Sequence, residues 1–403
     1  MVYALAVIFL ICVIGFAVWF PRVATVAWIL VLETSPDEWL AGLIGGHETI
    51  VGVIKAAGLG LAVICALRFG ARRDRYNPGF AFAWMFAGGV VHGLFPGLSL
   101  ASSLRSLAGS AGPFAFGFAR LPGNLCRAVV QATIWGPVFT VGFGALLAAL
   151  SLHRMYAVEL GALRLGASGD PPFLGGFALI GIYAGLLEHL RRVRGMNSTM
   201  LLVNFIILLL TGARAPLAIA VVVSGLVLLL QRRLMVLAGL GLLACLSLMF
   251  AANLHFIRVI DMVDLGDGSN LSNRNLVWPI FERAVATSPW LGWGVGAGKF
   301  IVPLKTGVGA LIGTNAAHNE YLRIGAEGGG IGAVMLLALL ALWVVRGSRG
   351  LPRAQCYLMR VIFIAFAVHS FTDNTLIATT SSVLFIWTSA VFATAAEGVK
   401  APA

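Results

Sequence analysis

The chain alternates long apolar runs with short breaks that carry Arg, Pro or Gly. Each run is close to the ~20 residues that a helix needs to cross a hydrocarbon layer of about 30 Å. The pattern predicts an all-α polytopic membrane protein with about twelve transmembrane helices. The predicted spans are residues 2–20, 49–67, 78–95, 98–118, 128–152, 174–190, 198–212, 215–230, 234–251, 329–345, 355–371 and 375–396.

Residues 21–48 fit this pattern least well. Pro21 and Arg22 interrupt an apolar stretch that resumes as VATVAWILVL and then meets the polar segment ETSPDEW. We interpret residues 21–48 as an extracytoplasmic, partly interfacial connection, because proline and charge together favour a break in a helix. A long, kinked first helix is the alternative.

A long polar segment separates the ninth predicted span from the tenth. The predicted organisation is therefore nine transmembrane helices in residues 1–251, a loop in residues 252–328, and three helices with a short tail in residues 329–403. Loops of this length are usually functional or disordered. This one is rich in aromatic residues, including Trp278, Trp290 and Trp293, so we expect it to be folded and functional.

Composition and charge sharpen this picture. Of the 403 residues 59% are hydrophobic and 11% charged, against about 25% charged in a soluble domain, which excludes a soluble enzyme. The formal charge of +12 suggests an orientation signal and not a nucleic-acid partner, because most basic residues fall in loops on one side. The positive-inside rule makes that side, and both termini, cytoplasmic. These basic residues are Arg68, Arg72, Arg73, Arg75, Arg120, Arg127, Arg191, Arg192, Arg194, Arg232, Arg233, Arg346, Arg349, Arg353 and Lys400.

Metal and disulfide chemistry have little support in the sequence. The five cysteines lie in or beside apolar runs without CxxC or histidine spacing, so neither disulfides nor zinc is expected. Asp261, Asp264 and Asp267 recur at threefold spacing in the outer loop, a pattern more typical of a solvated surface than of a cation site. No metal and no cofactor are expected.

The first motif of the outer loop predicts a short helix. In SNRNLVWPIFERAVAT, Ser272 can cap a helix whose apolar face is Leu276, Ile280 and Ala284 and which ends before Ser288. Arg274 then lies in the first turn, where the helix dipole disfavours a cation. It is either an ordinary surface arginine or, with the free N–H groups of the helix start, part of an anion site.

A second motif, NAAHNEYLRIGAEGGGIG, predicts another helix where the loop returns to the membrane. On this helix His318, Leu322 and Gly325 would share one face. Arg323 would pair with Glu320 and with Glu327, at spacings of three and four residues. His318 is either a packing residue or a catalyst. Between the two motifs, the glycines at 292, 294, 296 and 298 predict a tight turn and not a nucleotide-binding loop, because no strand precedes them.

Several cations on the outer side lack a topological role. Arg214 lies at the tip of the predicted hairpin 198–230, and it could converge with Arg274 and with either Arg154 or Arg164. Near-membrane arginines without such a role often bind pyrophosphate or carboxylate. Lys55 lies about two turns inside its span and either snorkels to the interface or faces a lipid-phosphate groove.

The order of these motifs resembles the O-antigen ligase/polymerase superfamily. TGAR stands in a hairpin tip, NRNLVW…SPWLGWGVG follows, and HNEYLRIGAEGG comes before the final three spans, so the resemblance covers about residues 200–375. TGAR departs from the pattern, since relatives often have serine where Ala213 stands. The resemblance implies a glycosyltransferase of the GT-C type that is inverting, metal-independent and free of cofactors.

The resemblance also implies roles for single residues. Arg214 and Arg274 match the arginines that hold the pyrophosphate of the donor, and His318 matches an essential histidine. Asp373, in HSFTDNTL, falls where relatives can carry a functional acid. Residues expected to support this site are Asn319, Tyr321, Glu327, Arg154 and Arg164.

The reaction implied by the resemblance takes place on the periplasmic face of the bacterial inner membrane. O-antigen polysaccharide would move from undecaprenyl pyrophosphate to a sugar hydroxyl of lipid A-core. Within the superfamily, O-antigen polymerase and protein O-oligosaccharyltransferase activities are the alternatives. A secondary transporter is an alternative of another class, although the sequence shows no inverted repeat.

Overall fold

The computed structural model describes residues 14–44, 46–159, 162–191, 196–233, 274–305, 307–312, 314–376 and 379–398. Nearly all regular structure in these ranges is helical, as predicted. The helices are α1 (Pro21–Glu33), α2 (Pro36–Ile44), α3 (His47–Phe69), α4 (Gly79–His92), α5 (Leu100–Ala115), α6 (Gly123–Ala149), α7 (Pro171–Leu190), α8 (Met196–Thr211), α9 (Arg214–Leu230), α10 (Arg274–Thr287), α11 (Gly307–Ile312), α12 (Glu320–Gly347), α13 (Arg353–His369) and α14 (Thr379–Gly398).

Five of the described helices are long and apolar enough to cross a membrane, and three shorter ones are also apolar. The chain is therefore a multi-pass membrane protein. The five are Thr49–Phe69, Gly123–Ala149, Pro171–Leu190, Glu320–Gly347 and Thr379–Ala396, and the shorter three are Gly79–His92, Thr199–Thr211 and Arg214–Leu230. The predicted span 234–251 and most of the span 2–20 lie outside the described residues.

Helix α7 is the centre of the bundle. It packs against α6, α8, α9 and α14, and glycines on its surface let neighbouring helices approach closely. A side chain at Gly181 would overlap Asn204 of α8. Asn204 in turn donates a hydrogen bond of 3.0 Å to the carbonyl of Ile134 in α6. Small residues and an interhelical hydrogen bond are the usual means of holding membrane helices together.

The interpretation of residues 21–33 as part of an interfacial connection is wrong. The helical hydrogen bonds continue across Phe20: its N–H donates to the carbonyl of Phe16, and the N–H of Ala24 donates to the carbonyl of Phe20. The residues before Phe20 therefore form one kinked helix with α1. Ile29 is fully buried against the bundle, where α1 packs on α6. Proline tolerated at the first helical position explains why Pro21 bends the helix without ending it.

A short antiparallel hairpin was not predicted. Strand β1 (Tyr156–Glu159) pairs with β2 (Ala162–Leu165), directly after α6, so the protein is not strictly all-α. The alternating segments YAVE and ALRL around Leu-Gly carry the period-two signal of such a hairpin. The hairpin turns the chain back toward the start of α7.

The predicted outer loop contains α10, the short 3-10 helix Ala297–Lys299, and α11. Helix α12 begins inside the predicted loop, at Glu320, and bends at Gly329, whose φ is 60° and ψ −169°. The predicted start of the membrane span therefore coincides with a kink. The predicted apolar face of α10 is shifted, because Val277 and Phe281 are buried while Leu276 is exposed.

Candidate functional site

His318 lies in a tight turn just before α12. Its φ of 46° is in the left-handed region, which side chains other than glycine rarely adopt without support from their surroundings. The prediction that His318 shares a helical face with Leu322 and Gly325 is therefore wrong: the helix begins two residues later. The imidazole belongs to the turn and not to the helix, and its side chain is 36% exposed.

The helix cap explains where this turn ends. The side chain of Asn319 accepts hydrogen bonds from the N–H groups of Tyr321 and Leu322, at 3.0 and 3.2 Å. An asparagine in this position satisfies two N–H groups that a helix start leaves without partners. Asn319, predicted as a supporting residue, thus fixes the backbone beside His318.

Three further contacts attach the turn to the rest of the protein. The indole of Trp278 in α10 donates a hydrogen bond of 2.9 Å to the carbonyl of Ala317. The N–H of Glu320 donates one of 2.8 Å to the carbonyl of Ser370, at the end of α13. The hydroxyl of Tyr321 adds a third, of 2.8 Å, to the carbonyl of Ala367. The start of α12, the aromatic helix α10 and the end of α13 therefore meet at His318.

The packing of these three helices places Asp373 beside His318. Oδ1 of Asp373 lies 3.6 Å from Nδ1 of His318, and Oδ2 lies 3.8 Å from Nε2 of His369. The N–H of Asn374 donates a hydrogen bond of 2.8 Å to Oδ1. Burial raises the pKa of Asp373, but the contact with His318 and the charge of His369 outweigh it and hold the pKa below its usual value. The carboxylate is therefore charged at neutral pH and can orient the His318 ring.

The predicted ion pairs of Arg323 are confirmed. The guanidinium contacts Glu320 and also donates to Oε2 of Glu327 at 2.7 Å. All three side chains are buried. The other oxygen of Glu327 accepts a hydrogen bond of 3.3 Å from the N–H of Gly298. Glu327, predicted as a supporting residue, thus binds the outer segment to α12.

The glycine-rich segment forms the predicted tight turn. Gly292, Gly294 and Gly296 all have positive φ. The N–H groups of Trp293 and Gly294 donate hydrogen bonds of 2.8 and 2.9 Å to the carbonyls of Ala326 and Glu327. The bend at Gly329 frees these carbonyls from the helical pattern. The turn therefore docks on the kink of α12.

Arg214 is the first residue of α9, at the tip of the hairpin formed by α8 and α9. Arg164 of strand β2 reaches the same tip, where its Nε donates a hydrogen bond of 2.7 Å to the carbonyl of Thr211. Of the two candidates for a third arginine, Arg164 is buried at the tip and Arg154 is exposed. The structure thus places Arg164 at the hairpin tip that carries Arg214.

Part of the predicted site lies outside the described residues. Arg274 is the first residue of α10, as predicted, but its side chain lies outside the described residues. Ser272 and the three acids Asp261, Asp264 and Asp267 lie outside them as well.

Two features of the site were missed from the sequence. His369 is a second partner of Asp373, and the spacing of four residues between them was the available signal. A cavity of about 440 Å³ also lies beside the turn, lined by Ala317 and Asn374, the neighbours of His318 and Asp373. No single motif indicates this cavity, because its walls come from distant parts of the chain.

Comparison with known proteins agrees with the order of the motifs. Residues 199–337 match the family model Wzy_C, described as O-antigen ligase. The matched region begins in α8 and ends in α12, so it contains the hairpin tip with Arg214, the start of α10 and the turn with His318. Among curated proteins, none matches this chain. Residues 199–337 thus carry the signature of the O-antigen ligase family, which confirms the predicted resemblance over that part of the chain.

Proposed function

We propose that the protein transfers O-antigen polysaccharide from undecaprenyl pyrophosphate to a sugar hydroxyl of lipid A-core, on the periplasmic face of the inner membrane. The observation that carries the proposal is the pair His318–Asp373, with 3.6 Å between Nδ1 and Oδ1. His318 lies within the region that matches the family, and Asp373 follows it. A histidine oriented by a carboxylate is a suitable general base for a hydroxyl.

The proposed reaction is a single displacement with inversion. Nδ1 of His318 faces Asp373, which leaves Nε2 to accept the proton of the acceptor hydroxyl. The hydroxyl oxygen attacks the anomeric carbon while the bond from that carbon to the pyrophosphate oxygen breaks. The proton ends on His318 and the electron pair on undecaprenyl pyrophosphate.

The leaving group needs charge stabilisation and little acid assistance. We assign this role to Arg214 and Arg274, whose guanidinium groups can each make two hydrogen bonds to phosphate oxygens. The two residues begin α9 and α10, so the N–H groups of both helix starts can add to the anion site. With two such sites, the proposed reaction is independent of a divalent metal.

The acceptor distinguishes the alternatives. An O-antigen polymerase would use the same His318 and arginines with a second lipid-linked glycan, and a protein O-oligosaccharyltransferase would use a Ser or Thr hydroxyl. A secondary transporter needs no base at all. The close pairing of His318 with Asp373 favours a reaction over transport.

The test is reconstitution of the purified full chain in liposomes with EDTA. The donor is an undecaprenyl-pyrophosphate glycan, offered with and without lipid A-core, and products are separated on a glycolipid gel. We expect modified lipid A-core only when both substrates are present. A donor glycan that lengthens without lipid A-core would instead identify a polymerase. No product with matched substrates would refute the proposal.

A further inference from the structure

The cavity beside His318 extends well into the bundle. Its walls come from α3, α5, α12 and α14, together with the 3-10 helix Ala297–Lys299. Because Ala317 and Asn374 line it, a molecule in the cavity would lie next to the His318–Asp373 pair. The cavity therefore has the right place to hold part of a substrate.

Two lysines face this cavity. Lys55 is half-buried and lies about two turns inside α3, and Lys299 is exposed at the end of the 3-10 helix. Within the described part of the chain, neither ammonium group makes a hydrogen bond or an ion pair. A cation inside a membrane-spanning helix is costly and is a functional candidate by default.

The neighbouring helix provides space for Lys55. A Cβ atom at Gly109 of α5 would overlap Cδ and Cε of Lys55. Glycine is less favourable than alanine in a helix interior. The absence of a side chain at residue 109 thus lets the lysine lie along α5 and face the cavity.

The other charges of the lining do not neutralise the lysines fully. Arg323 and Glu327 also line the cavity, where Arg323 is paired with Glu327 and with Glu320. Asp37 is the remaining carboxylate of the lining, and His47 lies near it. Burial raises the pKa of Asp37, and its backbone hydrogen bond and the charges of His47 and Lys55 only partly oppose this. The described lining thus carries three cations, Lys55, Lys299 and Arg323, against two carboxylates, Asp37 and Glu327.

Part of the cavity wall is apolar. It is formed by Trp28, Leu32, Ile54, Leu59 and Ile386. A cavity lined both by cations and by apolar side chains is complementary to an amphiphile with an anionic head. Phosphate is the anionic head that suits lysine, which acts as a point charge with three rotating donors.

We infer that this cavity binds the phosphate of a lipid-linked substrate, with Lys55 and Lys299 contacting the phosphate and the apolar wall contacting the adjoining lipid chain. This inference rests on the proposed function, whose substrates are both amphiphiles. The site differs from that of Arg214. Arg214 is not among the lining residues; Phe173 lines the cavity, while Gly175 packs on Ala213 at the hairpin tip, so the two sites lie on different faces of the start of α7.

The phosphate can belong to either substrate, and a binding experiment separates the two sources. The purified full chain is titrated in nanodiscs with a polyprenyl monophosphate and with the matching polyprenol. A second pair of probes is a phosphorylated glycolipid and its dephosphorylated form. The variants are Lys55→Met/Lys299→Met, and Lys305→Met as a matched control, because Lys305 is exposed and lies outside the lining.

We expect the wild type to prefer one phosphorylated probe over its neutral form by about tenfold, and the double variant to lose that preference. Lys305→Met should keep it. Loss confined to the polyprenyl probe assigns the cavity to the donor, and loss confined to the glycolipid assigns it to the acceptor. Equal affinities of the double variant and the control for both phosphorylated probes would overturn the inference.

Two more variants separate binding from misfolding. Lys55→Arg/Lys299→Arg retains both charges and should retain the preference. Gly109→Ala retains both lysines but displaces Lys55, so it should weaken binding of the same probe. Because these measurements need no turnover, failure of transfer with intact phosphate binding would refute the proposed function and leave this inference standing.

Discussion

At the scale of single residues, Asp373 joins two histidines that come from different sides of the site. His318 precedes α12 and is 36% exposed, whereas His369 ends α13 and is 14% exposed. The more exposed ring is the one that an acceptor hydroxyl can reach. Because the pKa of Asp373 is lowered, its charge is available to orient His318 at any pH well above the usual aspartate value.

The change Asp373→Asn tests this orienting role. We expect kcat to fall by at least about 10-fold, because the acid that holds the imidazole in its tautomer and orientation is lost. KM for both substrates should stay within about twofold, because Asp373 contacts the base and not the substrate. The measurement is steady-state transfer in liposomes.

Glu282→Gln is the matched control for this variant. Glu282 is an exposed acid on α10, so its replacement should leave kcat unchanged. A kcat for Asp373→Asn equal to that of the control would show that Asp373 has no part in orienting the base.

A second residue-scale prediction concerns Glu33, which is 1% exposed. Within the described residues, neither of its carboxyl oxygens has a hydrogen-bond partner, and the group packs directly on Gly136 of α6. We expect Gly136→Ala to destabilise the protein by about 1–3 kcal/mol through overpacking. The measurement is thermal unfolding in detergent.

Gly142 offers a control in the same helix, because a Cβ atom there would have no neighbouring atom within 4 Å. Gly142→Ala should therefore leave the melting temperature almost unchanged. Adding Glu33→Ala to Gly136→Ala should restore much of the lost stability. Equal melting temperatures for the two alanine variants would contradict the packing described.

At the scale of elements, the hairpin β1–β2 supports the tip between α8 and α9. The side chain of Arg164 connects strand β2 to the carbonyl of Thr211 by a hydrogen bond. Arg164→Met should loosen the tip that carries Arg214, and KM for the donor should rise about tenfold. Kinetics at varied donor concentration provide the readout.

Leu163→Met is the control for the hairpin, because Leu163 is exposed on the same strand. It should not change KM for the donor. Arg164→Lys, which keeps the charge and a donor, should recover part of the loss. An unchanged KM in Arg164→Met would separate the hairpin from donor binding.

The kink of α12 gives a second prediction at this scale. Gly329 has a φ of 60°, and a Cβ there would overlap the backbone of Trp290. Gly329→Ala should therefore release the glycine turn from the kink and lower the melting temperature. This combination of φ and ψ is essentially confined to glycine, and strain of this kind costs about 1–3 kcal/mol. Gly60→Ala in α3, where space is open, is the control, and equal melting temperatures would contradict the docking.

At the scale of the whole molecule, the sequence predicted most described helices within a few residues. The apolar runs 49–67, 174–190 and 215–230 correspond to α3, α7 and α9. Each run has a charged or glycine-rich boundary, which is a strong local signal. Residues 21–33 were misinterpreted because Pro21 breaks a helix in most positions but not in its first turn.

The candidate site was only partly predictable, for a physical reason. The i+3 and i+4 pairs of Arg323 follow from helix geometry and could be stated in advance. The distance from His318 to Asp373 depends on how α12 packs against α13, and no local pattern encodes it. The walls of the cavity with Lys55 are likewise brought together only by the fold.

The most direct test of the proposed mechanism is the single-turnover rate of glycan transfer by the full chain and by His318→Gln. The donor is prebound to protein in liposomes with EDTA, and lipid A-core starts the reaction. His189→Gln, at the end of α7, is the control. We expect the His318 variant to transfer at least about 100-fold more slowly, with the control at the wild-type rate. A His318 variant as fast as the control would contradict the assignment of His318 as the base.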